Sequence, residues 1–223
     1  MTSPADLPDV GERVVVTERR QRGFVHGLLT QWQVRWPRMQ ICSSNFGQGG
    51  ATSADVLNSV RRTALRREWD LALLEVGVND VWGRFQGRPE AVAIDDFERN
   101  YQHALAALAA HARQVVAIEV PPIGWLGGID AAAVNTELAA YNARARRAAA
   151  AAGAVFVALW EPFICTAREF GWVPQALGPQ PESCSLWLAD GVHLSNLGDA
   201  LVGVEVDRAL GADVGWSVFT PRT

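Results

Sequence analysis

The feature of this 223-residue chain that most limits its fold is the alternation of short apolar runs with longer helical patterns. Compact apolar runs cover residues 71–76, 115–120 and 154–159, and a weaker run covers residues 40–44. Runs of this length, bounded by Gly or Pro, predict buried strands. Strands that alternate with helices predict crossover units on a parallel sheet, so the chain is predicted to be an α/β protein.

The segments between these runs carry Ala, Leu, Arg and Glu at helical spacing. They predict helices over residues 53–67, 94–113, 131–152 and 196–210. The expected helix N-caps are Asp95 and either Ser195 or Asn196, and Gly153 suits a C-terminal cap. Residues 165–188 are predicted to form a long loop over a site. No linker or internal repeat is visible, so residues 1–223 are predicted to form a single domain.

Composition excludes several functions. The chain has 24 acidic and 20 basic residues and a net charge of −4, which argues against a nucleic-acid partner, because phosphate recognition needs a concentrated basic face. All the basic residues are arginine, so the chain has no lysine for phosphate binding or Schiff-base chemistry. No run approaches the ~20 apolar residues of a membrane span, and the N-terminus lacks a secretory pattern. We therefore expect a cytoplasmic protein with no membrane partner.

The cysteines give no sign of a metal or disulfide framework. Cys42, Cys165 and Cys184 are odd in number and widely spaced, without the close pairs of a zinc site. We therefore interpret them as ordinary thiols.

Candidate catalytic residues follow the predicted strands. The glycine-rich segment 45–52 exposes backbone N–H donors, and Asn79 places a side-chain amide just after the strand at 71–76. Asp190 and His193 lie just ahead of the last helix, at a spacing that lets a carboxylate orient an imidazole. Because ligands bind at the carboxyl ends of parallel strands, these groups predict an oxyanion hole with a general base.

In this order, the motifs resemble those of the SGNH or GDSL hydrolases, a family of esterases, lipases and acyl-transfer enzymes. Segment 45–52 resembles the second block of that family, 77–80 the third and 190–193 the fifth. The resemblance covers about residues 23–210 and implies a flavodoxin-like α/β/α sandwich. It also implies that Gly50 and Asn79 are oxyanion donors and that Asp190 and His193 are the acid and base of a triad. The implied activity is hydrolysis of a small ester through a serine acyl-enzyme, with neither a metal nor an organic cofactor, and the oligomeric state stays open.

The chain departs from the family at the first block, where an apolar strand leads into Gly-Asp-Ser with the nucleophilic serine. No Gly-Asp-Ser occurs in the sequence. One interpretation is that Met1-Thr2 lies just inside the motif, so that the given sequence starts after the serine. A second aligns residues 6–13 on the block, with Asp6 at the serine position. A third uses residues 14–16 as the first strand, which leaves 18–20 at the nucleophile position.

The nucleophile is therefore unknown from the sequence. The second and third interpretations imply a relative that does not hydrolyse esters, and instead uses the cleft to bind a ligand or partner. The first strand of the sheet is accordingly either missing or degenerate.

Overall fold

A computed structural model describes residues 23–37, 41–63, 67–89, 91–127, 129–172 and 186–213. The strands in these ranges are β1 (Trp69–Leu74), β2 (Ala112–Ile118) and β3 (Val155–Val157). The helices are α1 (Phe24–Arg35), α2 (Ser53–Thr63), α3 (Val78–Phe85), α4 (Ile94–Ala109), α5 (Ala131–Ala151), α6 (Trp160–Glu169) and α7 (Asn196–Asp213).

The three described strands form a parallel sheet in the order β1-β2-β3. Strand β2 is the middle strand and is apolar on both faces. Its residues Val115 and Ala117 belong to one core cluster, and Val116 and Ile118 belong to the other. Because side chains alternate across a strand, this continuous apolar run is buried from both sides.

Helices cover both faces of the sheet. The first core cluster joins the sheet to α2, α3, α4 and α5. The second joins it to α1, α6 and α7. The molecule is therefore a three-layer α/β/α sandwich with a parallel sheet, as predicted.

The ends of the helices confirm some predicted caps and correct one. The Ser195 hydroxyl accepts the N–H groups of Leu197 and Gly198 and so caps α7. Gly153 follows α5 with φ +66°, the left-handed geometry expected after a helix end. The prediction for Asp95 is wrong: α4 begins at Ile94 with Ala93 at the N-cap position, which puts Asp95 in the first turn.

The predicted strand at 40–44 is also wrong in its described part. Residues 41–44 lie in no strand, although Ile41 packs against the second core cluster. An apolar run becomes a strand only when a neighbour supplies ladder hydrogen bonds, and none of the described strands pairs with it. The alternative first strand at 14–16 lies outside the described residues.

Helix α6 corrects the prediction of a loop over 165–188, because it continues to Glu169. Phe163, Ile164 and Ala167 are buried on one side of it. The Glu119 carboxylate accepts the N–H groups of Leu159 and Trp160 at its start, at 2.7 and 2.8 Å. These contacts stabilise a helix where composition alone suggested a loop. Residues 173–185 are outside the described part of the chain.

Strand β1 has an edge that pairs with no other described strand. In its ladder with β2, the Trp69 N–H donates to the His111 carbonyl at 2.8 Å. A parallel ladder uses alternate residues, so Asp70, Ala72 and Leu74 direct their backbone groups to the opposite side. Most residues of β1 are only half-buried, although helices cover both its faces, whereas the last four of β2 are fully buried.

Candidate active site

The predicted site residues gather at the carboxyl ends of β1 and β2. Asn79 lies in the first turn of α3, which begins four residues after β1 ends. Sequence patterns indicated only an amide at a strand end and missed the helix itself. Val81 is fully buried in α3 and fixes the face that the helix turns toward the core.

Gly50 and Asn79, the two predicted oxyanion donors, are brought together by one hydrogen bond. The Asn79 side-chain amide donates to the carbonyl of Ala51, the residue after Gly50, at 3.0 Å. Gly50 has φ +77° in an exposed turn, a conformation that glycine adopts without steric cost. An amide NH₂ carries two hydrogens, so this bond leaves one Asn79 hydrogen for a ligand.

Beneath these donors lies a buried polar network that the sequence did not predict. Asp80 is fully buried and accepts the Ser53 hydroxyl at 2.6 Å and the Ser53 N–H at 3.0 and 3.1 Å. Asn100 donates to the same hydroxyl at 3.2 Å. The network joins the start of α2 to α3 and so fixes the glycine-rich segment relative to Asn79. Asp80 and Ser53 are 27 residues apart, and no local spacing relates them.

Burial dominates the electrostatics of Asp80. It raises the pKa of this carboxyl from 3.8 to about 6, against the opposing effect of the Ser53 hydroxyl and N–H. A buried carboxyl with this pKa ionises close to neutral pH.

Asp190 and His193 form the predicted acid–base pair. The Asp190 Oδ2 lies 2.7 Å from the His193 Nδ1. The other oxygen, Oδ1, accepts the backbone N–H groups of Val192 and His193 at 2.9 Å each. Partial burial alone would raise the pKa of Asp190, but these backbone donors and the imidazole outweigh it and lower the pKa below its ordinary value. Asp190 is thus held ionised beside the ring.

A short antiparallel turn presents the pair to solvent. Trp187 and Leu194 bridge across it, and the Leu188 N–H donates to the His193 carbonyl at 2.7 Å. With Nδ1 on the carboxylate, Nε2 is the free nitrogen of a ring whose side chain is 76% exposed. This is the arrangement in which an imidazole accepts a proton from a nucleophile.

The turn is tied to the loop that follows β2. Gly124 N–H donates to the Gly191 carbonyl at 2.7 Å. Gly191 has φ +70°, and a Cβ built on it would lie 2.1 Å from the Trp125 carbonyl oxygen. Only glycine fits there, so the acid–base turn is held against the loop that follows β2.

Two of the described serines have structural roles that exclude them as the nucleophile. Ser53 is buried against Asp80, and the Ser195 hydroxyl caps α7. Asp6 and residues 18–20, the alternatives from sequence, lie outside the described residues. The described site therefore contains the predicted oxyanion donors and the hydrogen-bonded Asp190–His193 pair, while its nucleophile stays unassigned.

A family model identifies the group to which the chain belongs. The GDSL-like lipase/acylhydrolase family matches residues 16–201, so this chain is a member of that family. The family relation confirms the predicted resemblance and indicates hydrolysis of ester bonds in general. No curated protein matches the chain in sequence.

Solved structures share the fold at low sequence identity. An acetylxylan esterase from Geobacillus stearothermophilus is 17% identical, with a TM-score of 0.66 over 90% of this chain and 84% of the esterase. An alpha/beta hydrolase from the Lake Arreo metagenome is 19% identical, with a TM-score of 0.68 over 85% of this chain and 81% of the other. A GDSL-like lipase candidate from Parabacteroides merdae is 20% identical, with a TM-score of 0.69 over 85% and 82%.

No helix in the described part of the chain is long and apolar enough to cross a membrane. No group of three or more His, Cys, Asp or Glu side chains in that part of the chain is arranged to hold a metal ion.

Proposed function

We propose that this chain provides the acid–base pair and oxyanion hole of an esterase that cleaves small carboxylic esters through a serine acyl-enzyme. The observation that carries the proposal is the 2.7 Å contact between Asp190 Oδ2 and His193 Nδ1. The His193 side chain that makes this contact is exposed to solvent. The family relation supports the ester class of the substrate.

In the first half of the reaction, His193 Nε2 takes the proton of a serine hydroxyl while the serine oxygen attacks the ester carbonyl carbon. Asp190 holds the ring in the tautomer that leaves Nε2 free and stabilises the imidazolium. The C–O bond to the alcohol then breaks, and His193 returns the proton to the departing alkoxide. Water, deprotonated in the same way, releases the acid and restores the serine.

The developing negative charge needs donors placed before the reaction begins. The Gly50 N–H and the second hydrogen of the Asn79 amide supply them in this proposal. Since Asp80 and Ser53 fix the segments that carry both groups, the donors need little reorganisation when the tetrahedral intermediate forms.

We place the serine on a strand that pairs with the edge of β1 that no described strand covers. Asn79 follows β1, and Gly50 is tied to it through Ala51. A parallel strand on that edge would therefore end beside both donors. The family resemblance implies a Gly-Asp-Ser block at such a strand end, and the 223 residues do not contain one.

Two forms of the chain test the proposal. One is the 223-residue chain, and the other, the extended form, is the same chain with an N-terminal apolar strand ending in Gly-Asp-Ser. The coding DNA upstream of Met1 supplies the extension if it reads in frame through that block. We expect a fluorophosphonate to label the extended form, which should also hydrolyse p-nitrophenyl acetate. Changing the serine of the extension to alanine is the matched control and should abolish both signals.

The second candidate is a non-catalytic relative that binds a ligand or partner in the same cleft. The structural tasks of Ser53 and Ser195 favour it, because they leave these hydroxyls unavailable to His193. Absence of labelling and turnover in both forms, with the fold intact, would support this candidate and reject the esterase.

A further inference from the structure

Two exposed apolar side chains belong to segments that meet at the acid–base turn. Trp125, in the loop after β2, is 37% exposed, and Leu188, within the turn, is 50% exposed. Both are large apolar side chains of a kind that usually packs inside. An exposed apolar patch beside polar functional groups marks a place where a ligand binds.

The loop that presents Trp125 is held from several directions. The Asn135 side chain accepts the Ile123 N–H at 2.7 Å and donates to the Ile123 carbonyl at 2.9 Å. The buried indole of Trp187 donates to the Pro122 carbonyl at 2.8 Å. Gly124 lies against the same indole, where an added Cβ would come within 3.1 Å of the ring. These contacts hold the loop after β2, residues 121–127, in a fixed position. We call this loop the shelf.

The same shelf is joined to the turn by the close contact of Trp125 with Gly191, described above. Leu188 is joined to the turn by its backbone N–H, which donates to the His193 carbonyl. Trp125 and Leu188 therefore belong to backbone segments that directly contact the residues of the acid–base turn. Their positions relative to His193 depend on main-chain contacts rather than on flexible side chains.

The Trp125 indole is also available to a ligand. Among the described residues it has no hydrogen-bond partner on its ring N–H. An added Cβ on Gly127 would lie 3.5 Å from its six-membered ring, an ordinary van der Waals distance, so Gly127 packs beside the indole. A flat, partly exposed indole stacks on another flat ring more favourably than on a flexible chain, because aromatic pairs gain interaction beyond the area they bury.

We propose that Trp125 and Leu188 form the subsite for a flat apolar ring in the substrate, so that aryl esters are preferred to alkyl esters of similar size. This inference rests on the proposed esterase function, since it identifies the substrate class of the same site. Trp125 is the stacking residue, and Leu188 supplies the apolar side wall.

Binding of unreactive amides tests the subsite without hydrolysis. The probes are N-(2-naphthyl)acetamide and N-butylacetamide, and their dissociation constants are measured by nuclear magnetic resonance titration. We expect the native chain to bind the naphthyl amide about 5- to 10-fold more tightly than the butyl amide. Trp125→Ala should remove most of this preference, Trp125→Phe should keep it, and Leu188→Ala should weaken naphthyl binding about 2- to 3-fold.

Phe170→Ala is the matched control, because Phe170 is a similarly exposed aromatic residue at the far end of α6. It should bind both amides like the native chain. Equal naphthyl binding by the native chain and by a folded Trp125→Ala variant would overturn the subsite. His193→Ala separates the two proposals, because it should leave naphthyl binding within about twofold while stopping hydrolysis by the extended form that carries Gly-Asp-Ser.

Discussion

The two halves of the candidate site are built in opposite ways. The oxyanion half rests on a buried carboxyl, Asp80, which has no exposed surface and is satisfied by Ser53. The acid–base half lies on an exposed turn, where the Asp190 carboxylate is held by backbone N–H groups and one imidazole. The comparison shows that pre-organisation can come either from burial, which perturbs a pKa upward, or from local backbone donors, which lower it.

This difference fits the roles proposed for the two halves. Oxyanion donors must stay fixed through the reaction, so a rigid buried support suits them. An imidazole that exchanges protons with substrate and water needs an open face, which the exposed turn provides. Each half can be altered separately by substitution. The rate measurements use an esterase-active form of the chain.

Asp190→Asn should give the largest effect. An amide at this position disturbs the tautomer and charge of the ring, so we expect kcat for p-nitrophenyl acetate to fall about 10³- to 10⁴-fold. The exposed Asp96→Asn, at the start of α4, is the control and should retain full activity. A loss below about tenfold would mean that Asp190 does not orient His193 during the reaction.

Asn79→Ala should come next, because it removes one oxyanion donor. We expect kcat to fall about 10²- to 10³-fold with little change in KM. The comparison variant is Asn58→Ala, an exposed amide on α2. If Asn79→Ala raised KM alone, the amide would contribute to substrate binding and not to stabilisation of the transition state.

The buried support of the oxyanion half should appear in the pH dependence of stability. The pKa of Asp80 is raised to about 6, so the folded state binds its proton more tightly than the unfolded state does. Its favourable contribution is present below pH 4 and is lost as the pH rises through about 6. The resulting fall in the free energy of unfolding is about 3 kcal/mol. Asp80→Asn should abolish this fall, as measured by urea unfolding at pH 4 to 8.

Asp55 supplies an internal comparison of opposite sign. The Thr52 backbone N–H and then the Thr52 hydroxyl lower the pKa of Asp55. Its contribution to stability is present above the ordinary pKa of an aspartate and is lost as the pH falls through the lowered value. Asp55→Asn should therefore reduce acid sensitivity and leave the loss of stability between pH 4 and 6 in place. The same profile for both variants would contradict the assigned role of Asp80.

Gly191→Ala should destabilise the acid–base half by about 2 kcal/mol or more, because the new Cβ meets the Trp125 carbonyl in a left-handed conformation. Gly87→Ala is the matched variant. Gly87 also has positive φ, +65°, but its Cβ would enter open space, so the expected cost is about 1 kcal/mol. Thermal unfolding of the two variants measures the difference, which is the contribution of the contact itself. Equal losses would show that the turn is not locked to the shelf.

Sequence reasoning reached the acid–base half more completely than the support of the oxyanion half. Asp190 and His193 are three residues apart, and a local spacing of this kind can be recognised in a linear sequence. Asp80 was interpreted only as part of a strand-end motif, because its partner Ser53 is distant in the chain. Burial of a carboxyl is a tertiary property that no local pattern reports.

The errors in the fold have the same origin. Residues 165–169 belong to α6, but the Gly- and Pro-containing composition of 165–188 predicts a loop. The helix is stabilised by Glu119, about 40 residues earlier in the chain. In contrast, the apolar run of β2 is predicted within a few residues, since continuous burial on both faces leaves a strong signal in sequence. The run of β1 is also predicted within a few residues, although most of its residues are only half-buried.

The most direct test of the proposed esterase site compares two proteins. One is the extended chain with Gly-Asp-Ser on its added strand, and the other is the same chain carrying His193→Ala; ester turnover is measured for both. We expect the extended chain to hydrolyse p-nitrophenyl acetate. His193→Ala should reduce kcat at least about 10³-fold, while its unfolding free energy should stay within about 0.5 kcal/mol, because the side chain is largely exposed. Equal turnover by the two forms would contradict the assignment of His193 as the general base.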